Sequence, residues 1–169
     1  MILNDLEAHA AEDMSGLTEG EQLVVRSWRR VAAERIDGPL LAREFERACG
    51  EDAAEVFATF CTFLRALACA SRRHLRIGHP GCSTLTLDER QLLTVIAAAQ
   101  AGDETRLEAN LRWLARAELR VALAIAVSAL GTALAAHGYC LPLPVPVARS
   151  IATPSDPIPA MIRARIPIE

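Results

Sequence analysis

A chain of 169 residues, 51% hydrophobic but only 4% aromatic, is long enough to bury its own core and reads as a single domain. Its 21 acidic side chains against 18 basic ones, a net charge of −3, argue against a protein whose main task is to neutralise nucleic acid phosphates. The five cysteines (Cys49, Cys61, Cys69, Cys82 and Cys140) are odd in number and irregularly spaced, so reduced thiols and a cytoplasmic location are expected.

The first residues fit a short helix around Ile2 to Ala11. The acidic opening Asn4-Asp5-Leu6-Glu7 stands where a signal peptide would carry a basic start and an apolar middle. Thr18 with Glu21 forms a capping box that opens the next helix. Along it Val24, Val25, Trp28, Val31, Ala32 and Ile36 recur at helical spacing as an apolar face. Arg26, Arg29, Arg30 and Glu34 are assigned to the opposite face. Asp37-Gly38-Pro39 ends that helix, and Pro39 suits the first position of another, with Leu40, Leu41, Phe45 and Ala48 turned inward and Gly50 at its end.

From about Asp52 to Arg73 a further helix carries Val56, Phe57, Phe60, Phe63, Leu64 and Leu67 over most of its circumference. A helix that apolar requires neighbours on several sides. The segment from His74 to Leu85 is long for a connection between helices. Thr86 then caps a helix with Asp88 and Glu89 in its first turn and Leu92, Leu93, Val95 and Ile96 inside.

Gly102 and Asp103 separate that helix from the last stretch. A continuous helix from Glu104 to His137 would be about 50 Å long, so a break is expected near Ala115 to Glu118. The apolar run Val121–Ala136, about 24 Å as a helix, falls short of a bilayer and reads as a buried central helix with no membrane role. Ala124, Ser128, Gly131 and Ala135 form a small-residue stripe on it, which lets another helix approach closely. Beyond Gly138 the run Leu141-Pro142-Leu143-Pro144-Val145-Pro146-Val147 and the later prolines exclude helix and predict an extended arm.

The stretch from Leu40 through Gly102 resembles a group of small, Arg- and Ala-rich helical bacterial proteins of unknown function. The resemblance is carried by Ala42-Arg43-Glu44-Phe45-Glu46, Phe63-Leu64-Arg65-Ala66-Leu67, the loop Pro80-Gly81-Cys82, and Leu85-Thr86-Leu87-Asp88-Glu89-Arg90. It implies a helical fold and no particular chemistry.

Three constellations could carry chemistry. His79-Pro80-Gly81-Cys82 and His137-Gly138-Tyr139-Cys140 each place an imidazole and a thiol three positions apart at a turn. Together His79, Cys82, His137 and Cys140 would supply two nitrogens and two sulfurs, a set suited to zinc. Equally, His137 fits a helix carboxyl end and the thiols fit ordinary packing. Arg72, Arg73 and Arg76 with Ser83, Thr84 and Thr86 surround a helix amino terminus, a combination able to take a phosphate or carboxylate, although simple capping uses the same residues. Cys82 beside His79 has no third group to orient the imidazole. The chain also lacks a phosphate-binding glycine loop, a zinc-protease helix and a nucleophile elbow.

A helix-turn-helix around Gly50 would present Asp52-Ala53-Ala54-Glu55-Val56-Phe57 to DNA, the wrong groups for base edges and phosphates. No nucleic acid partner is therefore expected. The sequence thus predicts an all-α bundle of about six helices over residues 1–140 with a proline-rich arm over 141–169. The expected function is non-enzymatic: an interaction or regulatory protein that forms homo-oligomers through Val145, Val147, Ile151, Ile158, Met161, Ile162 and Ile166 of the arm. The alternative is a protein that binds an anion or zinc at the loop 76–86.

Overall fold

The structure, a computed structural model, describes residues 13–33 and 39–144. The expected helix at Ile2–Ala11, the turn around Asp37 and the arm residues from Val145 onward lie outside them. Among the described residues there are six α-helices: α1 Glu19–Ala33, α2 Pro39–Cys49, α3 Ala53–Ala70, α4 Leu87–Gln100, α5 Glu104–Leu114 and α6 Arg120–Ala136. No strand occurs among them, only the isolated bridges Asp13–Thr84 and Ser71–Ala115.

The helix starts follow the predicted chemistry. At α1 the Thr18 amide donates to Glu21 Oε2 at 2.8 Å and the Glu21 amide to Thr18 Oγ1 at 3.3 Å. Thr86 and Glu89 form the same reciprocal box at α4. Asp103 accepts from the Arg106 amide at the start of α5. Each box satisfies amides that a helix otherwise leaves without partners.

Helix α3 is the axis of the core. Val56, Phe60, Phe63 and Leu67 are buried, and it packs on α2 and most extensively on α6. Phe60 lies against Phe45 of α2 with ring centroids 5.2 Å apart, and Phe63 against Trp28 of α1 at 5.9 Å. α3 and α6 run antiparallel: Asp52, just before α3, approaches His137, just after α6, at 3.8 Å, and the Arg116 amide donates to Ala70 O at 2.9 Å at the opposite end. α6 packs in turn on α4, and α4 on α5. Leu41 and Phe45 of α2 are buried as expected, but Leu40 is 50% exposed, because two adjacent positions on one helix cannot both face a narrow seam.

The break in the last stretch is where it was expected, and its cause is tertiary. Ala115 is extended (φ −121, ψ 151), and Arg72 and Arg116 donate to Leu114 O and Ala70 O across the Ser71–Ala115 bridge. Backbone pairing with the end of α3 thus interrupts a stretch, Glu104 to Leu130, that holds neither proline nor glycine.

α6 differs from the expectation of a buried central helix. Leu123, Val127, Leu130 and Leu134 face the core, whereas Val121 and Ile125 are 72% and 67% exposed. The stretches Leu40–Ala70 and Ala117–Ala136 both meet the length and hydropathy of a membrane span, and only 33% of the second is buried. The first is not one continuous helix, since Gly50 at φ 60 and the 3₁₀ turn Gly50–Asp52 divide it. Part of the small-residue stripe on α6 does find a helix within the chain. A Cβ on Gly131 would lie 3.1 Å from Gln100 Cγ and 3.7 Å from Ile96 O, so glycine there lets α4 approach closely.

The beginning of the predicted arm belongs to the fold. Gln100 Nε2 donates to Gly131 O at 3.1 Å and to Tyr139 O at 2.8 Å, and the Leu141 amide donates to Gln100 Oε1 at 2.7 Å. Leu141 is buried, and Arg106 donates to Pro144 O at 3.1 Å, so residues 139–144 are laid along their own chain.

Candidate functional site

The segment 71–86 between α3 and α4 has almost no regular structure, and two adjacent acids in the first turn of α4 hold it in place. Asp88 and Glu89 are 4% and 0% exposed. A helix amino terminus favours carboxylates there through its dipole and free amides. Their burial nevertheless demands partners, because an unpaired buried charge is costly.

Arg29 supplies the partner for Glu89. The sequence pattern assigned Arg29 to the solvent face of α1, and the structure overturns that assignment: its side chain is 1% exposed. Arg29 Nε and Nη2 donate to the two Glu89 carboxylate oxygens at 2.7 and 2.9 Å, a bidentate fork. The same guanidinium donates to the carbonyl oxygens of Cys82 and, at 2.8 Å, Thr84. Glu89 also accepts from the amides of Gly78 (3.0 Å) and Thr86 (2.8 Å). Gly78 has to be small, since a Cβ there would stand 3.0 Å from three atoms of the Arg29 guanidinium. One arginine on α1 thus ties a helix amino terminus to both sides of the loop.

A second clasp lies toward solvent. Arg73 donates through both terminal nitrogens to Asp88, and the Arg76 amide donates to Asp88 Oδ2 at 2.6 Å. The Arg73 guanidinium lies 4.5 Å from the centre of the Trp113 ring. Trp113 is 51% exposed and serves as this platform. Trp28 is buried against Phe63.

The charge states follow from this geometry. Hydrogen bonds from Arg73, then the Arg76 amide, hold the Asp88 carboxyl below its ordinary value of 3.8. Burial pushes Glu89 upward, but its bonds to Arg29, Thr86 and Gly78 outweigh that and leave it below 4.5. Arg29 is raised, first by its bond to Glu89. Folded carboxyls with depressed values stabilise the protein above the unfolded-state value, and that contribution disappears as pH falls through the folded value. Urea midpoints should therefore be flat above about pH 5 and fall steeply on acidification. Glu89→Gln should flatten the slope more than Asp88→Asn, because Arg73 is 44% exposed and solvent screens its pair. A midpoint independent of pH down to 3 would contradict this account.

The residues expected to bind an anion are only partly brought together. Arg73, Arg76 and Thr86 line one shallow pocket with Leu87, Asp88 and Trp113. Arg72 instead donates to Arg112 O, the Ser83 carbonyl accepts from the Met14 amide at 2.7 Å, and the Thr84 carbonyl is taken by Arg29. A phosphate in the shared pocket would meet the Asp88 carboxylate, which already engages Arg73.

The four residues expected to bind zinc do not converge. Among the described residues no three His, Cys, Asp or Glu side chains form a metal-holding group. His137 faces Asp52, His79 Nδ1 accepts from the Gly81 amide at 3.3 Å, and Cys140 is exposed. Cys82 Sγ lies 3.4 Å from Thr84 Oγ1. That contact, with the Thr84 amide and then Arg29, lowers the thiol from its ordinary value. The His79 ring is thus engaged with the loop backbone, and the Cys82 thiol shares a hydrogen bond with the Thr84 hydroxyl.

Sequence reasoning missed the Arg29 anchor and an apolar groove beside it. The groove, about 400 Å³, lies between the end of α1, the last turns of α3 and the start of the loop, with Trp28, Val31, Leu64, Leu75 and Ile77 in its wall. A signal for Arg29 was present: it stands four residues after the buried Val25, on the same stripe of the helix. Comparison with protein-family models, curated proteins and solved structures found no match for this chain.

Proposed function

We propose that this is a non-enzymatic interaction protein of the cytoplasm that associates with itself through the uncovered face of α6. The observation that carries this reading is an exposed helix face without charge. Val121, Ala122, Ile125, Ala129, Thr132 and Ala136 are all exposed, and no charged side chain occurs from Val121 to Ala136. Contiguous exposed apolar surface on a folded domain marks a contact site. The helix itself offers no charge to pair with a charged partner, with Glu104 and Glu108 of α5 only at the border of the patch beside Ile125, whereas a two-fold contact places one patch against its own copy. Its small side chains also favour close helix approach. The apolar residues expected at the interface, Val145 to Ile166 of the arm, extend the same assembly in this proposal, since Pro144 is held beside the first turn of α5.

The test is the mass in solution of the full chain and of a Val121→Asp/Ile125→Asp variant. The wild type should be a dimer or larger. The variant should weaken association by roughly 100-fold, since each exchange buries an uncompensated carboxylate in the contact. Its thermal midpoint at low concentration should stay near that of the wild type, because both positions face solvent in the single chain. A wild type that remains monomeric at high micromolar concentration would defeat the proposal. So would one that stays monomeric and partitions onto lipid vesicles.

A further inference from the structure

The apolar groove beside the Arg29 anchor has a chemistry that selects its occupant. Arg65 and His74 also line it, Arg73 at its edge is already engaged by Asp88, and among the described residues no carboxylate lines it. Its ligand should therefore have an apolar stripe flanked by negative charge. The segment before the first described residue has that character. Residues 1–12 hold Ile2, Leu3, Leu6 and Ala10, which fall on one side if helical, with Asp5 and Glu7 on either flank, and they contain no arginine.

The attachment point fits as well. Asp13 bridges Thr84, and the Met14 amide donates to Ser83 O at 2.7 Å, so the chain enters the fold on the loop whose residues Leu75 and Ile77 wall the groove. Ser83 stands six positions after Ile77, at most about 20 Å of backbone, and the turn closed by the Cys82 amide on His79 O shortens that path. Asp13 stands seven positions after Leu6, a reach of about 16 Å with the chain helical through Ala10 and extended beyond it. We infer that residues 1–12 dock in cis into this groove, with Ile2, Leu3 and Leu6 against Trp28, Leu64, Leu75 and Ile77, and Asp5 and Glu7 toward Arg65 and His74. The segment then acts as a built-in competitor for any acidic amphipathic partner of the same groove. The α6 contact does not depend on this docking.

Methyl-resolved NMR on the full chain reads the docking directly. The expected result is nuclear Overhauser contacts from the Leu3 and Leu6 methyls to those of Leu64, Leu75 or Ile77, present in a fully labelled sample and not dependent on protein concentration. In a Leu3→Asp/Leu6→Asp variant the Leu64, Leu75 and Ile77 methyl resonances should shift, while those of Leu107 and Ile125, on another face, stay in place. Random-coil methyl shifts for Ile2, Leu3 and Leu6 in the wild type would overturn the inference. Contacts seen only between differently labelled chains in a mixed sample would also overturn it, by assigning the groove to a second copy.

Discussion

Arg29→Ala should destabilise the protein by about 3–5 kcal/mol, the range for a buried pair broken by removal of one partner. The loss arises less from the missing attraction than from what stays behind. Glu89, 0% exposed, would keep only the Gly78 and Thr86 amides as partners for a buried negative charge, and the carbonyls of Cys82 and Thr84 would lose their donor. Glu89, with less to hold its charge, would take up a proton more readily, so the variant should gain stability on mild acidification, where the wild type is flat or loses it. Arg29→Lys should recover only part of the loss, because an ammonium cannot span both carboxylate oxygens and two carbonyls as a planar fork does. Urea unfolding followed by circular dichroism measures all three chains. An Arg29→Ala midpoint close to the wild type at neutral pH would show that the anchor does not hold the loop.

Phe60→Ala should cost a similar amount, about 3–5 kcal/mol, by a different mechanism. Phe60 is 0% exposed on the central helix, and its ring meets that of Phe45 on α2 at 5.2 Å between centroids. Truncation removes buried apolar area and leaves a cavity between α2 and α3, which helices fastened at their other contacts cannot close. The loss should be insensitive to pH and should leave the Arg29 clasp intact, so it adds to that of Arg29→Ala in the double variant. Phe60→Leu should recover most of the stability, since the cavity is then mostly filled. Thermal unfolding in which Phe60→Ala melts with the wild type would mean that α3 is not the axis of the core.

The helical elements were readable because their causes are local. The capping boxes of Thr18 with Glu21 and of Thr86 with Glu89 depend on residues three apart. The buried face of α3 depends on a repeat of three and four residues, which a single helix displays by itself. Pro39 at the first position of α2 likewise acts on its own backbone. Even the break after α5 was placed correctly, through the improbable length of an unbroken helix, although its cause, pairing with Ser71 and Ala70, lies far away in the chain.

The candidate site was hidden for the opposite reason. Arg29 looked like a solvent-facing charge because its partner is sixty positions away, and a lone arginine carries no mark of the carboxylate it will meet. Arg72, Arg73 and Arg76 with Ser83, Thr84 and Thr86 read as one group along the chain, and the sequence does not tell that Asp88 accepts from Arg73 and the Arg76 amide. His79 with Cys82 and His137 with Cys140 matched as spacings, yet spacing says nothing of the distance between turns on different helices. Composition, capping and periodicity were enough to determine an all-helical chain and where most of its helices begin. Only the tertiary structure decided which charges are buried, which face of α6 is left bare, and where an apolar groove opens. Burial and ion pairing are properties of distance in space, and a repeat along one helix encodes only which side faces inward.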